Sequence, residues 1–302
     1  MKIGLALGAG AARGWAHIGI IRALQKAGVQ IDIVAGCSIG AYVGAAFASG
    51  KLDDLEAWAN TLTEWQVFKL LGVGFRRGGL ASGQKVFDKL REDFCASTFE
   101  EMNLPFACVA TDLYSGKEVV FNQGEVGDSI QASCAIPALF SPVEHNGRWL
   151  VDGAVVNPVP VNQCRHMGAD FVIAVNLSAD FRPRLIETCE REHEENQRKT
   201  DEMLDRASDG FIKKWFSPDT KPNKRTPPGI VGVMSSSLEI LQARVTRSRL
   251  AGEPPDILIE PQLHDVGILE FHRAIEVAEK GNQAVERLAH QIAYQLNIVK
   301  ET

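Results

Sequence analysis

Ser38 lies in a stretch whose residue types and spacing are typical of a serine nucleophile. It is the third residue of Gly-Cys-Ser-Ile-Gly at residues 36–40. The alternating, β-rich residues 29–35 predict a strand before this stretch, and the apolar residues 41–50 predict a helix after it. Strand, Gly-x-Ser-x-Gly and helix together predict a nucleophile elbow, in which the helix dipole favours an anion that develops beside the hydroxyl.

A second loop of small residues follows the first predicted strand. Residues 8–14, Gly-Ala-Gly-Ala-Ala-Arg-Gly, stand between the apolar residues 2–7 and a helix predicted over residues 15–27. Because backbone N–H groups converge at such a helix N-terminus, the loop suits an oxyanion or a phosphate. A Rossmann-type nucleotide binder is the alternative, although the third glycine of its fingerprint comes one residue late, at Gly14, and no acidic residue ends the second strand.

An Asp-Gly pair, Asp152-Gly153, stands at the end of a hairpin predicted over residues 142–156. The pair alone indicates an ordinary turn. The two glycine-rich stretches upstream give it more weight as the third part of a single site.

In this order, the three stretches resemble the motifs of patatin-like phospholipases. The residues that match are 8–17, 36–40 and 152–154, and Ala-Ser-Cys-Ala-Ile-Pro at 132–137 is similar to a segment common before the Asp-Gly motif. The chain is similar to the short bacterial members related to neuropathy target esterase, called RssA-like. The resemblance covers about residues 1–180.

The resemblance implies a patatin-like three-layer α/β/α fold and acyl-ester hydrolysis by a Ser-Asp dyad through an acyl-enzyme. Ser38 is then the nucleophile and Asp152 its base, whose pKa we expect partial desolvation to raise. The residues implied for the oxyanion hole and its loop are Gly8, Gly10, Ala11 and Arg13. The supporting motif glycines are Gly14, Gly36, Gly40 and Gly153. Alanine stands at positions 9 and 11, where glycine is common in the family.

Histidine is the alternative base, because it is the usual partner of a serine nucleophile. The residues alone, with seven histidines in the chain, favour a Ser-His-Asp triad. With the resemblance, His17 is interpreted as a structural residue that bonds a backbone group near the glycine-rich loop, and His145 as a surface turn residue. Asp112 is interpreted as a structural residue that caps or stabilises the sheet near its active edge.

Strands and helices alternate from the first residue, which predicts an α/β fold with a mainly parallel sheet and helices on both faces. The predicted helices are 15–27, 39–48, 52–71, 82–95, 126–135 and 271–296. The predicted strands, besides the first two and the hairpin, are 105–112, 117–122, 171–177 and 256–260.

The chain is predicted to be a single domain over residues 1–302, with a charged insertion or lid-like segment at 187–228. Aromatic and basic residues stand together at 211–216. They indicate either a helix end packed on the domain or a lid that contacts a membrane surface. The glycine-rich apolar residues 70–80 either line an acyl entrance or link two elements.

The composition argues against several classes of protein. A net charge of −6 gives no support for nucleic-acid binding and argues against strong attachment to anionic lipid. Six cysteines without Cys-x-x-Cys spacing predict reduced thiols in a cytosolic protein, and Cys37 is interpreted as a packed small residue rather than a reactive thiol. Residues 1–4 predict a strand, not a signal peptide, and no apolar run reaches membrane-spanning length.

These inferences combine into a serine esterase that hydrolyses acyl esters of phospholipids, lysophospholipids or acylglycerols. We expect no metal or other cofactor, no nucleic-acid partner and a cytoplasmic location, with peripheral contact at the inner face of the membrane left open. The sequence assigns no oligomeric state. A regulatory binding module that keeps the hydrolase fold and uses residues 187–228 is the second alternative, beside the nucleotide binder.

Overall fold

The structure, a computed structural model, describes four ranges of the chain: residues 1–76, 79–81, 83–180 and 230–297. The chain divides into two compact units, one formed by Met1–Phe181 with Gln242–Thr302 and the other by Arg182–Leu241. The charged segment 187–228, with its aromatic and basic stretch 211–216, lies outside the described residues. The single domain over residues 1–302 therefore stays a prediction.

A mixed sheet of eight strands forms the centre of the first unit, in the order β10-β9-β1-β2-β5-β8-β7, with β6 also paired to β5. All pairs from β10 to β5 are parallel, and β6, β7 and β8 join antiparallel, which confirms the predicted mainly parallel sheet. Strands β3 and β4 form a separate hairpin. The strands are β1 Ile3–Leu7, β2 Ile33–Cys37, β3 Val73–Arg76, β4 Gly79–Ala81, β5 Phe106–Asp112, β6 Glu118–Phe121, β7 Val143–His145, β8 Arg148–Asp152, β9 Phe171–Val175 and β10 Ile257–Ile259.

Helices connect most of these strands. They are α1 Ala16–Lys26, α2 Ile39–Ala48, α3 Leu52–Ala59, α4 Glu64–Leu71, α5 Gln84–Lys89, α6 Val126–Ser133, α7 Val161–His166, α8 Ile230–Gly252, α9 Ala274–Arg287 and α10 Ala289–Gln295. Short 3₁₀ turns precede α1 at Ala11–Trp15 and α9 at Phe271–Arg273. The single helix predicted over residues 52–71 is wrong. Thr63 begins α4 with a reciprocal capping box to Gln66, so α3 and α4 are separate helices.

The core lies on both faces of the sheet, which confirms the predicted three-layer architecture. In β1, Leu5 and Leu7 face the larger cluster, to which α1, α2 and α9 contribute. Ala6 faces the smaller cluster, which includes Val161 and Cys164 of α7 and packs against Leu250 of α8. Every residue of β1 and β2 is buried, as expected for central parallel strands covered on both sides.

The strand register brings the ends of three strands to one place. β2 and β5 are parallel with Cys37 opposite Val109, and β5 and β8 are antiparallel with Ala110 opposite Asp152. The residue after β2 is Ser38, and the last residue of β8 is Asp152. The two therefore flank β5 at nearly the same level of the sheet.

Helix α2 packs so closely on β1 that a side chain at Gly40 would overlap the carbonyl oxygen of Leu7. We expect Gly40→Ala to lower the free energy of unfolding by about 2 kcal/mol or more, because backbone cannot move aside as a flexible side chain can. Urea denaturation measures this loss.

Gly252→Ala is the matched control, because no heavy atom lies within 4 Å of a Cβ placed there at the end of α8. Its free energy of unfolding should change by less than about 1 kcal/mol. Equal losses in the two variants would contradict the close packing at Gly40.

Candidate active site

Ser38 connects β2 to α2 in a backbone conformation that few side chains adopt. Its φ is 55° and its ψ is −125°, while its carbonyl already accepts hydrogen bonds from the first turn of α2. A positive φ at a non-glycine residue is strained and persists only where the surrounding structure imposes it. The strained turn at the start of α2 is the geometry that the predicted nucleophile elbow requires.

The hydroxyl of Ser38 donates a hydrogen bond to Asp152, with Oγ 2.6 Å from Oδ2. The other carboxylate oxygen accepts the N–H of Ala154 at 2.8 Å and lies 3.9 Å from the thiol of Cys37. Both Ser38 and Asp152 are 3% exposed. One oxygen of the carboxylate thus contacts the serine, and the second oxygen is held by its own loop.

Burial raises the pKa of Asp152 to about 6, although the hydrogen bonds from Ser38, Ala154 and Cys37 act in the opposite direction. The carboxylate is consequently a stronger base than an aspartate in water, and it is still mostly ionised at neutral pH. Such a pKa suits a group that takes and returns a proton.

Residues 133–135, the last residue of α6 and the two that follow it, accept hydrogen bonds from the backbone N–H groups of both Ser38 and Asp152. Ser133 Oγ accepts the N–H of Ser38 at 2.9 Å, and the carbonyl of Ala135 accepts the N–H of Asp152 at 2.9 Å. This is the segment similar to the family's Ala-Ser-x-Ala-x-Pro stretch, for which the sequence analysis assigned no role. The residue types alone would not have shown that Ser133 contacts Ser38.

The glycine-rich loop after β1 has two N–H groups available. Those of Gly10 and Ala11 have no acceptor in the described part of the chain, whereas those of Gly8 and Ala9 donate to Val175 and Pro158. The N–H of Gly8 is therefore unavailable to an oxyanion, so this residue supports the loop rather than serving as a donor of the predicted hole. Ala11 has a φ of 50°, a conformation that glycine adopts with less strain.

Two buried side chains support this loop. His17 Nε2 lies 2.8 Å from the carbonyl oxygen of Gly8, which is the backbone contact that the sequence predicted. Burial lowers the pKa of His17 to about 4, so the ring is neutral and its Nε2–H donates. Arg13 Nε donates to the carbonyl of Val266 at 3.0 Å, so Arg13 joins the loop to the chain before α9.

The supporting glycines allow close packing around the loop and the elbow. A Cβ at Gly14 would overlap the side chain of Ile39, one at Gly36 would meet Ala41, and one at Gly153 would meet the carbonyl of Val109. The contacts at Gly14 and Gly153 join segments that are distant in sequence, and the contact at Gly36 joins β2 to the first turn of α2, so larger residues do not fit at these positions.

The remaining candidate residues have structural contacts. His145 is the last residue of β7, directly before the turn to β8, where it contacts Asn146 and forms a T-shaped pair with the Phe121 ring. Asp112 accepts the N–H of Tyr114 at the end of β5, as a turn residue does. Burial raises the pKa of the Cys37 thiol well above its usual value, so this residue is an unreactive, packed thiol, as interpreted from the sequence.

An apolar pocket lies beside the elbow. Its lining includes Ile39, the residue after Ser38, and Cys134, the residue after Ser133. Helix α4 and the 3₁₀ turn before α9 form further walls. Leu70 lines the pocket, so the first residue of the glycine-rich apolar stretch 70–80 contributes to its wall. The complete lining is Trp15, Ile39, Tyr42, Trp58, Leu62, Val67, Leu70, Val86, Phe87, Cys134, Ile136, Phe140 and Phe271.

The family model of patatin-like phospholipases matches residues 5–165. The chain therefore belongs to the patatin-like phospholipase family, which confirms the resemblance seen in the motifs. As a member of this family, the chain is a lipid ester hydrolase.

Several relatives belong to the NTE group within this family. An uncharacterised NTE family protein of Mycobacterium tuberculosis is 32% identical over 93% of this chain and 89% of its own length. Lysophospholipase NTE1 of Pyricularia oryzae is 26% identical over 93% of this chain, which spans only 18% of that protein. The crystal structure of VipD from Legionella pneumophila is similar with a TM-score of 0.49 and 14% identity, covering 96% of this chain and 66% of VipD.

Within the ranges that the structure describes, no helix is both long and apolar enough to cross a membrane.

We expect Ser133→Ala to lower the turnover number on a short p-nitrophenyl ester by about tenfold or more, with KM changed much less. The variant leaves the buried N–H of Ser38 without its acceptor, a loss worth about 1–3 kcal/mol, and the elbow loses its support. Steady-state kinetics measure the effect.

The matched control is Ser129→Ala in the same helix. Ser129 is also buried, but its hydroxyl donates to the carbonyl of Glu125, the residue before α6. Its turnover should stay within about twofold of the wild type. If the two variants lose turnover equally, Ser133 acts only through the stability of α6.

We also expect Asp152→Asn to stabilise the protein at pH 8. The folded pKa of about 6 exceeds the ordinary value of 3.8, so the unfolded chain ionises first as the pH rises. The stability of the wild type then falls across about pH 4 to 6 by roughly 3 kcal/mol and stays lower above that window. The asparagine variant has no such loss, so its advantage should disappear near pH 4.

Urea denaturation at pH 4.5, 6 and 8 measures this difference, and Asp112→Asn is the control of opposite sign. Backbone hydrogen bonds, first that of Tyr114, lower the pKa of Asp112, so its removal should cost stability at neutral pH. A destabilised Asp152→Asn protein at pH 8 would show that the buried charge is fully compensated.

Proposed function

We propose that the chain is a serine esterase that hydrolyses acyl esters of phospholipids, lysophospholipids or acylglycerols by a Ser38–Asp152 dyad. The observation that supports this most directly is the 2.6 Å hydrogen bond between Ser38 Oγ and Asp152 Oδ2 on the strained turn of the elbow. A nucleophile and its base within hydrogen-bond reach are the signature of covalent acyl transfer.

In the first half of the reaction, Asp152 takes the proton of the Ser38 hydroxyl while Oγ attacks the ester carbonyl carbon. The carbonyl oxygen becomes an oxyanion, to which the N–H groups of Gly10 and Ala11 donate. Removing one such donor has cost about 2.7–4 kcal/mol in another hydrolase. The C–O bond to the alcohol then breaks, the alcohol leaves with the proton from Asp152, and Ser38 keeps the acyl group.

In the second half, water replaces the alcohol. Asp152 takes a proton from the water as its oxygen attacks the acyl carbon, and the same two N–H groups bind the second oxyanion. The bond from the acyl carbon to Ser38 Oγ breaks, the proton returns to Ser38, and the fatty acid leaves. The charge on Asp152 is the same before and after each half of the reaction.

The apolar pocket supports the choice of a lipid acyl chain as the group transferred. Its lining consists of aliphatic, aromatic and thiol side chains, and it starts at the residue that follows Ser38. An acyl chain bound there would place its ester carbonyl near the elbow. One relative of this chain is named as a lysophospholipase, whose substrate class has an acyl chain, and another is named as an esterase.

The two alternative functions have less support. The amides of Gly10 and Ala11, which a nucleotide phosphate would need, are the donors that the proposed esterase mechanism assigns to the oxyanion. A regulatory binding module depends on residues 187–228, which lie outside the described residues. The cytoplasmic location also stays a prediction.

Labelling by a fluorophosphonate probe and hydrolysis of a short p-nitrophenyl ester test the proposal. We expect Ser38→Ala to lose labelling, and both Ser38→Ala and Asp152→Asn to lose hydrolysis by about a thousandfold or more, with unchanged circular dichroism. His145→Ala is the control and should stay within about twofold of the wild type. A His145 variant as inactive as Ser38→Ala would favour a conventional triad.

A further inference from the structure

Helix α4 has two unlike faces. Val67 and Leu70 face inward and form part of the wall of the apolar pocket. Trp65 and Phe68 face outward, and 62% and 52% of their surfaces are exposed. An eight-residue helix thus forms one wall of the pocket beside the elbow and presents two large aromatic rings on its outer side.

The outward rings form a single ordered surface. Trp65 and Phe68 stack with their centroids 5.8 Å apart and their planes 12° apart, as residues three positions apart on a helix can. The ammonium of Lys69 lies 5.1 Å from the centroid of the Trp65 ring. The three side chains therefore combine an apolar surface with one cation at its margin.

Both ends of α4 are held in place. Thr63 and Gln66 form a capping box at the first turn, and Gly72 ends the helix in the left-handed conformation. The rings are consequently presented by a defined helix. Exposed pairs of large aromatic side chains are uncommon on proteins that contact only water, because each exposed ring forfeits the free energy of its burial.

We propose that Trp65, Phe68 and Lys69 seat α4 on the surface of a zwitterionic phospholipid bilayer or micelle, which rests on the proposed lipid esterase function. The indole and phenyl rings would enter the interface, and the Lys69 ammonium would stay beside the phosphate groups. The inner face of the same helix lines the pocket, so an acyl chain can leave the lipid and reach Ser38 along apolar side chains.

The charges on α4 support a zwitterionic surface rather than an anionic one. Glu64 and Lys69 are its only ionisable residues, so the helix has no net charge, and Glu64 also lies 3.5 Å from His272. Burial of the rings, not counterion attraction, is then the main source of binding. Binding should therefore depend little on salt concentration.

The first experiment measures binding without hydrolysis. Full-length Ser38→Ala protein is sedimented with phosphatidylcholine vesicles, and Trp65→Gln/Phe68→Gln is added in that background because glutamine keeps helix propensity. We expect about tenfold weaker binding or more, with the same circular dichroism. As single variants in the same background, Trp65→Phe should keep most of the binding to vesicles and Trp65→Gln should lose more of it. Addition of 0.5 M NaCl should change the vesicle binding of the parent protein by less than about twofold.

Tyr294→Gln is the matched control, since Tyr294 is an 84% exposed aromatic residue on a different helix, α10. Its vesicle binding should equal that of the parent protein. In proteins with an intact Ser38, the ratio of hydrolysis of vesicle-borne lipid to hydrolysis of a soluble ester should fall about tenfold in the double variant and stay constant in Tyr294→Gln.

Three results would overturn the proposal. The first is no vesicle binding by the parent protein, and the second is equal binding by the double variant. The third is a double variant that differs from the parent protein in oligomeric mass, measured by light scattering, while its vesicle binding is intact. The last would assign the surface to a second copy of the chain. If the wild-type protein hydrolyses no ester but its vesicle binding depends on Trp65, the proposed function is refuted and the lipid-binding surface is still supported.

Discussion

The hydrogen bond between the Ser38 hydroxyl and the Asp152 carboxylate joins two strands that are not neighbours in the sheet. β5 lies between β2 and β8, so the two backbones are separated by two strand spacings, about 10 Å, and only the side chains meet. Both groups are buried, where an unpaired polar group is costly. The register of β5 and the bonds from residues 133–135 hold this separation constant, and the strained turn at Ser38 persists because these contacts impose it.

The base and the two available amides are held by connected parts of the chain. The segment after Asp152 continues to Pro158, whose carbonyl accepts the N–H of Ala9 in the glycine-rich loop. On the other side, residues 266–268 accept bonds from Arg13 and from the N–H of Ala12. The loop is thus hydrogen-bonded on both sides, and the amides of Gly10 and Ala11 are left available for the proposed oxyanion, which needs donors that do not reorganise.

Burial has opposite effects on the two ionisable groups near this loop, because it disfavours whichever form is charged. Asp152 becomes a stronger base, with a pKa of about 6, and His17 becomes a neutral donor, with a pKa of about 4. The same apolar surroundings extend through Ile39 into the pocket and reach α4, whose outer face presents aromatic rings to solvent. A single apolar environment therefore raises the pKa of the proposed base, lines the pocket proposed for an acyl chain and continues to the surface proposed to meet lipid.

The amino-acid sequence by itself determined the strand, elbow and helix around residues 29–48, the alternation that makes an α/β fold, and the strands at residues 105–112 and 117–122, because periodicity and turn residues act locally. It did not show the break between α3 and α4, where a capping box at Thr63 overrides a continuous helical pattern. Only the tertiary structure decided which loop amides stay unpaired, how far burial moves the pKa of Asp152, and that Ser133 supports a serine 95 positions away. These properties depend on contacts between segments distant in sequence, so no local pattern contains them.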